Sequence, residues 1–124
     1  TTTAVLAALL DDASAYGEVV AVGIVGTPRD HPTLDSALAT HTMLHSAEGE
    51  LYRGALAAAA TAEGLPVVPA PPKRTVEEVA IVLGQRGPLL AQHLTALRAV
   101  LGAPWQADHK DATAAALLAL HLVR

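Results

Sequence analysis

Apolar positions along the chain fall into two kinds of run. Leu6, Leu9, Leu10 and Ala13 recur at helical spacing, with Thr3 placed to cap and Gly17 to stop, which predicts a first helix over roughly 4–16. Val19-Val20-Ala21-Val22-Gly23-Ile24-Val25 follows without polar alternation. A β-branched run of that kind reads as a strand covered on both faces, the pattern of a parallel sheet. Gly26-Thr27-Pro28-Arg29-Asp30-His31-Pro32 is a turn-rich loop. A second helix is predicted from near Thr33 to about Glu63, with Leu34, Leu38, Leu44, Leu51 and Leu56 as its apolar positions. Gly49 and Gly54 lie inside it. Each costs up to about 1 kcal/mol against Ala, so they mark either a break or a close approach of another backbone. Gly64 ends the helix, and Leu65-Pro66-Val67-Val68-Pro69 reads as a short second strand. Pro69, Pro71 and Pro72 then stop the strand in a stiff extended exit. Strand, long helix, strand is a βαβ unit.

Thr75-Val76-Glu77-Glu78 carries a capping-box signature and opens a helix to about Leu83. Gly84 and Gly87 flank a turn. Pro88 fits the first position of another helix, with Leu90, Leu94, Leu97 and Leu101 on one face and Gly102-Ala103-Pro104 as its end. The last helix runs from about Asp108 to Leu122. The fold class is therefore α/β, helix-rich with a parallel βαβ unit, and residues 1–124 read as one domain. Two strands make a thin sheet, because strands usually come in sets of about four to six. Either another chain completes the sheet or the sequence is the later part of a larger domain.

Composition changes this picture in three ways. Alanine occurs 27 times and Phe is absent, so the core must be built from Leu, Val and Ala with elements approaching closely. Twelve acids stand against eight bases for a net charge of −4, and Lys73 and Lys110 are the only lysines. Phosphate neutralisation draws on Lys and Arg, so charge disfavours nucleic acid as a partner. The absence of Cys excludes a disulfide scaffold, a thiolate zinc site and a Cys nucleophile. The longest apolar stretch, Ala112 to Val123, is interrupted by Thr113 and His121 and falls short of a membrane span. Asp11 and Asp12 follow the first apolar run and no basic residue precedes it, which does not fit a secretory signal. The expectation is a cytoplasmic protein with no membrane partner.

Three groups of residues could carry chemistry. Asp108 and Asp111 are three apart at the head of the last helix, so their carboxylates lie one turn apart and could share Mg²⁺ or Mn²⁺. The plainer reading is that acids in a first turn cap the helix and complement its dipole. His41, His45 and Glu48 stand at i, i+4 and i+7, a stripe that could ligate Zn²⁺, or simply a polar helix face. Thr42 occupies the position where a zinc protease motif carries its Glu. Thr27, Arg29, Asp30 and His31 follow the carboxyl end of the first strand, where ligands bind in open α/β sheets, although no glycine-rich phosphate motif is present. Ser14, Ser36 and Ser46 have no nucleophile-elbow context. Trp105 after Pro104 reads as an anchor against the core. Lys73-Arg74 reads as a solvated pair or a phosphate contact.

The stretch Leu101-Gly102-Ala103-Pro104-Trp105-Gln106-Ala107-Asp108-His109-Lys110-Asp111-Ala112, leading into an Ala/Leu helix that ends near His121, resembles the close of RuvC-type Holliday-junction resolvases, in the RNase H-like superfamily. That family ends with a Pro, a short spacer, and Asp-x-x-Asp-Ala opening a helix of small residues. Similarity extends to Glu48-Gly49 through Arg53-Gly54-Ala55, to Leu65-Pro66-Val67, and to the strand Val19–Val25 after a helix. The resemblance implies an RNase H-like fold, without the opening three-strand meander that carries the family's first catalytic Asp. It makes Asp108 and Asp111 the last two metal-binding acids. The family's strand-end Glu has no counterpart among Gly23, Ile24 and Val25, and the nearest later acid is Asp30. The expectation is thus a degenerate RuvC-like protein that acts as a binding or structural module, as a homo-oligomer or with a partner protein. Two alternatives stand beside it: a Mg²⁺-dependent structure-specific DNA nuclease whose missing acids come from an upstream segment or partner chain, and a small-molecule or metal-binding α/β protein.

Overall fold

Residues 1–26 and 41–123 are described by a computed structural model, with 41–48, 50 and 85 described at the backbone. The chain enters helix at once, as α1 (Thr2–Ser14). Its cap is Thr1, whose hydroxyl accepts from the Ala4 N–H at 3.1 Å, so Thr3 lies inside the helix. Either threonine could cap, and the cap at Thr1 takes Thr2 and Thr3 into the helix. Next in order come β1 (Val22–Val25), α2 (His41–Ala62), β2 (Val67–Ala70), α3 (Thr75–Leu83), a 3₁₀ turn (Gly84–Arg86), α4 (Leu90–Ala96), α5 (Arg98–Leu101) and α6 (Ala107–Val123). The architecture is mixed α/β, with helix predominant. Among the described residues, no helix is long and apolar enough to cross a membrane.

The chain divides into two units. One comprises Thr1–Val20 with Pro28–Pro66, the other Ala21–Thr27 with Val67–Arg124. In the first, α1 packs on α2, with Leu6 buried on α1 and Ala59 and Ala60 buried on α2. α2 runs unbroken through Gly49 and Gly54. Gly49 lies beside the Arg53 guanidinium, 3.1 Å from where a Cβ would stand. The helix ends in a Schellman motif: the Leu65 N–H reaches the Ala60 carbonyl at 3.0 Å and the Gly64 N–H the Thr61 carbonyl at 2.9 Å, with Gly64 at φ 76°.

In the second unit β1 and β2 pair in parallel, with Val22 opposite Val67 and Val25 opposite Ala70. Val19–Ala21 lies outside the strand, contrary to expectation. The ladder is as long as its shorter partner permits, and β2 fits between the turn at Gly64 and the Pro71-Pro72 exit. Pro69 stands within β2 rather than ending it. It is exposed, which suits a residue with no N–H to give to a ladder. The Gly26 N–H extends the pairing to the Ala70 carbonyl at 2.8 Å, and its φ of 92° then turns the chain away.

α3 does not start as the capping box predicts. Arg74 is the N-cap, in the left-handed region at φ 53°, and makes no side-chain cap bond. Thr75 is buried, stands inside the helix as its first residue rather than at the cap, and its hydroxyl donates backwards to the Pro71 carbonyl at 2.7 Å. Glu77 and Glu78 still complement the helix dipole in the first turn. The single helix expected after Pro88 is two short ones. Pro88 and Leu89 form a turn, and Leu97 interrupts the run while keeping right-handed helical angles.

α6 packs against β1, β2, α3 and α4. Its buried Ala114, Ala115, Leu118 and Ala119 recur as a helical stripe, and the first three join Ala70, Val79, Leu90 and Leu94 in one core. The contact with β1 is close. A Cβ on Gly23 would collide with the Ala115 carbonyl and lie 2.9 Å from the Ala116 nitrogen. This is the tight helix-on-strand approach that an alanine-rich core without Phe requires.

Candidate functional site

The acid pair stands where the sequence places it. Asp108 and Asp111 are the second and fifth residues of α6, one turn apart, with Asp108 exposed and Asp111 partly buried. The local chemistry is that of a helix start. The Asp108 carboxylate accepts from the His109 N–H at 3.1 Å, beside the positive end of the helix dipole. His109 Nδ1 accepts the Gln106 N–H at 3.1 Å. Gln106 precedes the helix and His109 is its third residue, so the imidazole fills the role that Glu or Gln plays in a capping box. The same Nδ1 lies 3.2 Å from Asp108 Oδ1. A bond to that carboxylate needs a proton on Nδ1, and an Nδ1 that carries one cannot accept from Gln106. The bond from Gln106 is accepted by a ring that carries its proton on Nε2.

Behind this turn the helix is pinned. Trp105 Nε1 donates to the Leu94 carbonyl at 2.7 Å, and its ring stands 6.1 Å from the His109 ring, centroid to centroid. Lys110 Nζ reaches the Thr95 hydroxyl at 3.4 Å. The Thr113 hydroxyl returns to the His109 carbonyl at 2.9 Å. Trp105 is thus the anchor the sequence suggests, and it ties the head of α6 to α4.

His41, His45 and Glu48 fall within the first eight residues of α2, so the backbone supplies the i, i+4, i+7 spacing. Thr27, Arg29, Asp30 and His31 lie outside the described residues. Among the described residues, no three His, Asp or Glu side chains come together as a metal-holding group. Asp108 and Asp111 could offer a cation two carboxylates, with water completing the shell of a Mg²⁺ ion.

The sequence does not point to a second feature. A cavity of about 540 Å³ opens in the second unit, among the end of α3, the 3₁₀ turn, α4 and α6. Leucines line it, among them Leu90, Leu117 and Leu120, and its polar groups are Arg86, His93 and His121. The only signal in the sequence is helical register. Leu90 and His93 are three apart, and Leu117, Leu120 and His121 are related by three and four, so each set shares a helix face. No protein-family model, curated protein or solved structure matches the chain.

Proposed function

We propose that this chain is an RNase H-like α/β module whose role is binding or assembly rather than cleavage. The observation that supports this best is the parallel β1–β2 pair with α6 laid across both strands. The order of strand, helix, strand, short helices and an acid-led final helix agrees with the RuvC-like resemblance. Among the described residues, neither β1 nor β2 has a second strand neighbour. A four-residue parallel pair normally belongs to a wider sheet, and an edge that keeps free N–H and C=O groups is a template for another strand. A second copy or a partner protein would supply it.

The acids support the non-catalytic side of this reading. Cleavage by paired metals needs a clamp on both the attacking and the leaving oxygen of the phosphodiester. Here two carboxylates are at hand, one of them engaged at its own helix start. With net charge −4 and two lysines, the chain is also poorly equipped to hold a branched duplex.

Two measurements on the full chain test the proposal together. Light scattering is expected to give a mass above the 12.7 kDa of one chain. Incubation with branched DNA and Mg²⁺ or Mn²⁺ is expected to leave the DNA intact. Metal-dependent cleavage that Asp111→Asn abolishes would overturn the proposal in favour of the nuclease. A stable monomer at high concentration would remove self-assembly.

A further inference from the structure

We propose that the leucine-lined cavity of the second unit binds a small amphipathic anion, a carboxylate on an aliphatic body, with Arg86 as its principal partner. The size fits, since small-molecule sites occupy about 300–1,000 Å³ and combine apolar walls with a few convergent polar groups. Leu90, one of the lining residues, is buried. Leu117 and Leu120 are 37% and 39% exposed, which leaves apolar surface of α6 open towards the cavity.

Charge selects the head group. The polar side chains lining the cavity are a guanidinium and two imidazoles, and no carboxylate lines it. That is against the trend of a chain with twelve acids and eight bases. A guanidinium presents a planar fork that matches one carboxylate in bidentate fashion. His93 and His121 add ring N–H donors from two other elements. A phosphate dianion is less well served. Phosphate sites typically use backbone N–H groups at helix N-termini. Arg86, His93 and His121 stand instead in the last turns of the 3₁₀ turn, α4 and α6. Helix carbonyl ends carry negative partial charge, which favours the guanidinium and opposes a dianion more than a single carboxylate.

The test titrates the full chain by calorimetry with decanoate, decanol, butyrate and decyl phosphate, all below their micellar range. Decanoate is expected to saturate one site per chain, at least about tenfold tighter than decanol or butyrate, because the site reads both head and tail. Arg86→Gln, an exposed substitution that leaves the core untouched, should lower decanoate affinity to that of decanol and leave decanol unchanged. Leu120→Asp should remove binding of both, with circular dichroism confirming that the helices persist. Equal affinity for decanoate and decanol, tighter binding of decyl phosphate, an unaltered Arg86→Gln isotherm, or no saturation would each overturn the proposal.

Discussion

A methyl group at residue 23 has nowhere to go, because the Ala115 carbonyl of α6 already stands there. Gly23→Ala must push helix and strand apart, and overpacking of this kind costs about 1–3 kcal/mol. The urea midpoint should fall accordingly. Gly17→Ala is the control: nothing lies within 4 Å of its added Cβ, so that midpoint should hold or rise. Thr75 makes a different demand. Its hydroxyl is the donor to the Pro71 carbonyl in a buried position. Thr75→Val keeps the shape and strands the carbonyl, at about 1–3 kcal/mol, whereas Thr75→Ser should retain most of the stability. At the head of α6, His109→Ala removes the acceptor for the Gln106 N–H. A loss of about 0.5–1 kcal/mol is expected in thermal or urea melts, with His109→Gln recovering part of it.

Elements differ in how much of them could be read in advance. β1 was legible because a β-branched run without polar alternation has few other uses. Its length was not, since a ladder is set by the partner strand, and β2 is confined between Gly64 and the proline exit. The end of α2 was legible at Gly64, where a left-handed residue is needed. The start of α3 misled, because Arg74 takes the cap position and Thr75, one residue further in, bonds the Pro71 carbonyl behind it. The acid pair on α6 was legible as a position, and the engagement of Asp108 with His109 followed only from the helix being in place. The cavity was legible only as helical register: His121 stands far along the chain from Arg86 and His93, and packing sets its helix on the same cavity. Two predictions belong to this scale. Trp105→Phe deletes the donor to the Leu94 carbonyl that ties α6 to α4. Protection of α6 amides from hydrogen exchange should fall more than that of α3 amides. In α2, His41 and His45 have the spacing of a helical zinc pair. Competition with a chromophoric chelator separates the two readings of the stripe: a ligand set gives one zinc per chain, lost in His45→Ala, and a plain polar face gives identical curves for both proteins.

For the molecule as a whole, the two units are interleaved along the chain. The second takes β1 from within the sequence of the first, then resumes at Val67. A fragment of residues 67–124 would keep β2 and α6 without the strand that Ala115 packs on. It is expected to show poor near-ultraviolet circular dichroism and broad amide resonances, and a peptide spanning β1 should sharpen them. A well-dispersed spectrum from the fragment alone would show that β1 is dispensable. The indole that anchors α6 has a consequence for such measurements. Trp105 is the chain's single tryptophan and lies in the second unit, whereas Tyr16 and Tyr52 both belong to the first and are largely exposed. Indole emission therefore watches one unit, while far-ultraviolet ellipticity also reports α1 and α2. Unfolding curves recorded in the two signals should superimpose if the units melt as one cooperative body and separate if they do not. The protein thus carries a native optical label confined to one of its two units.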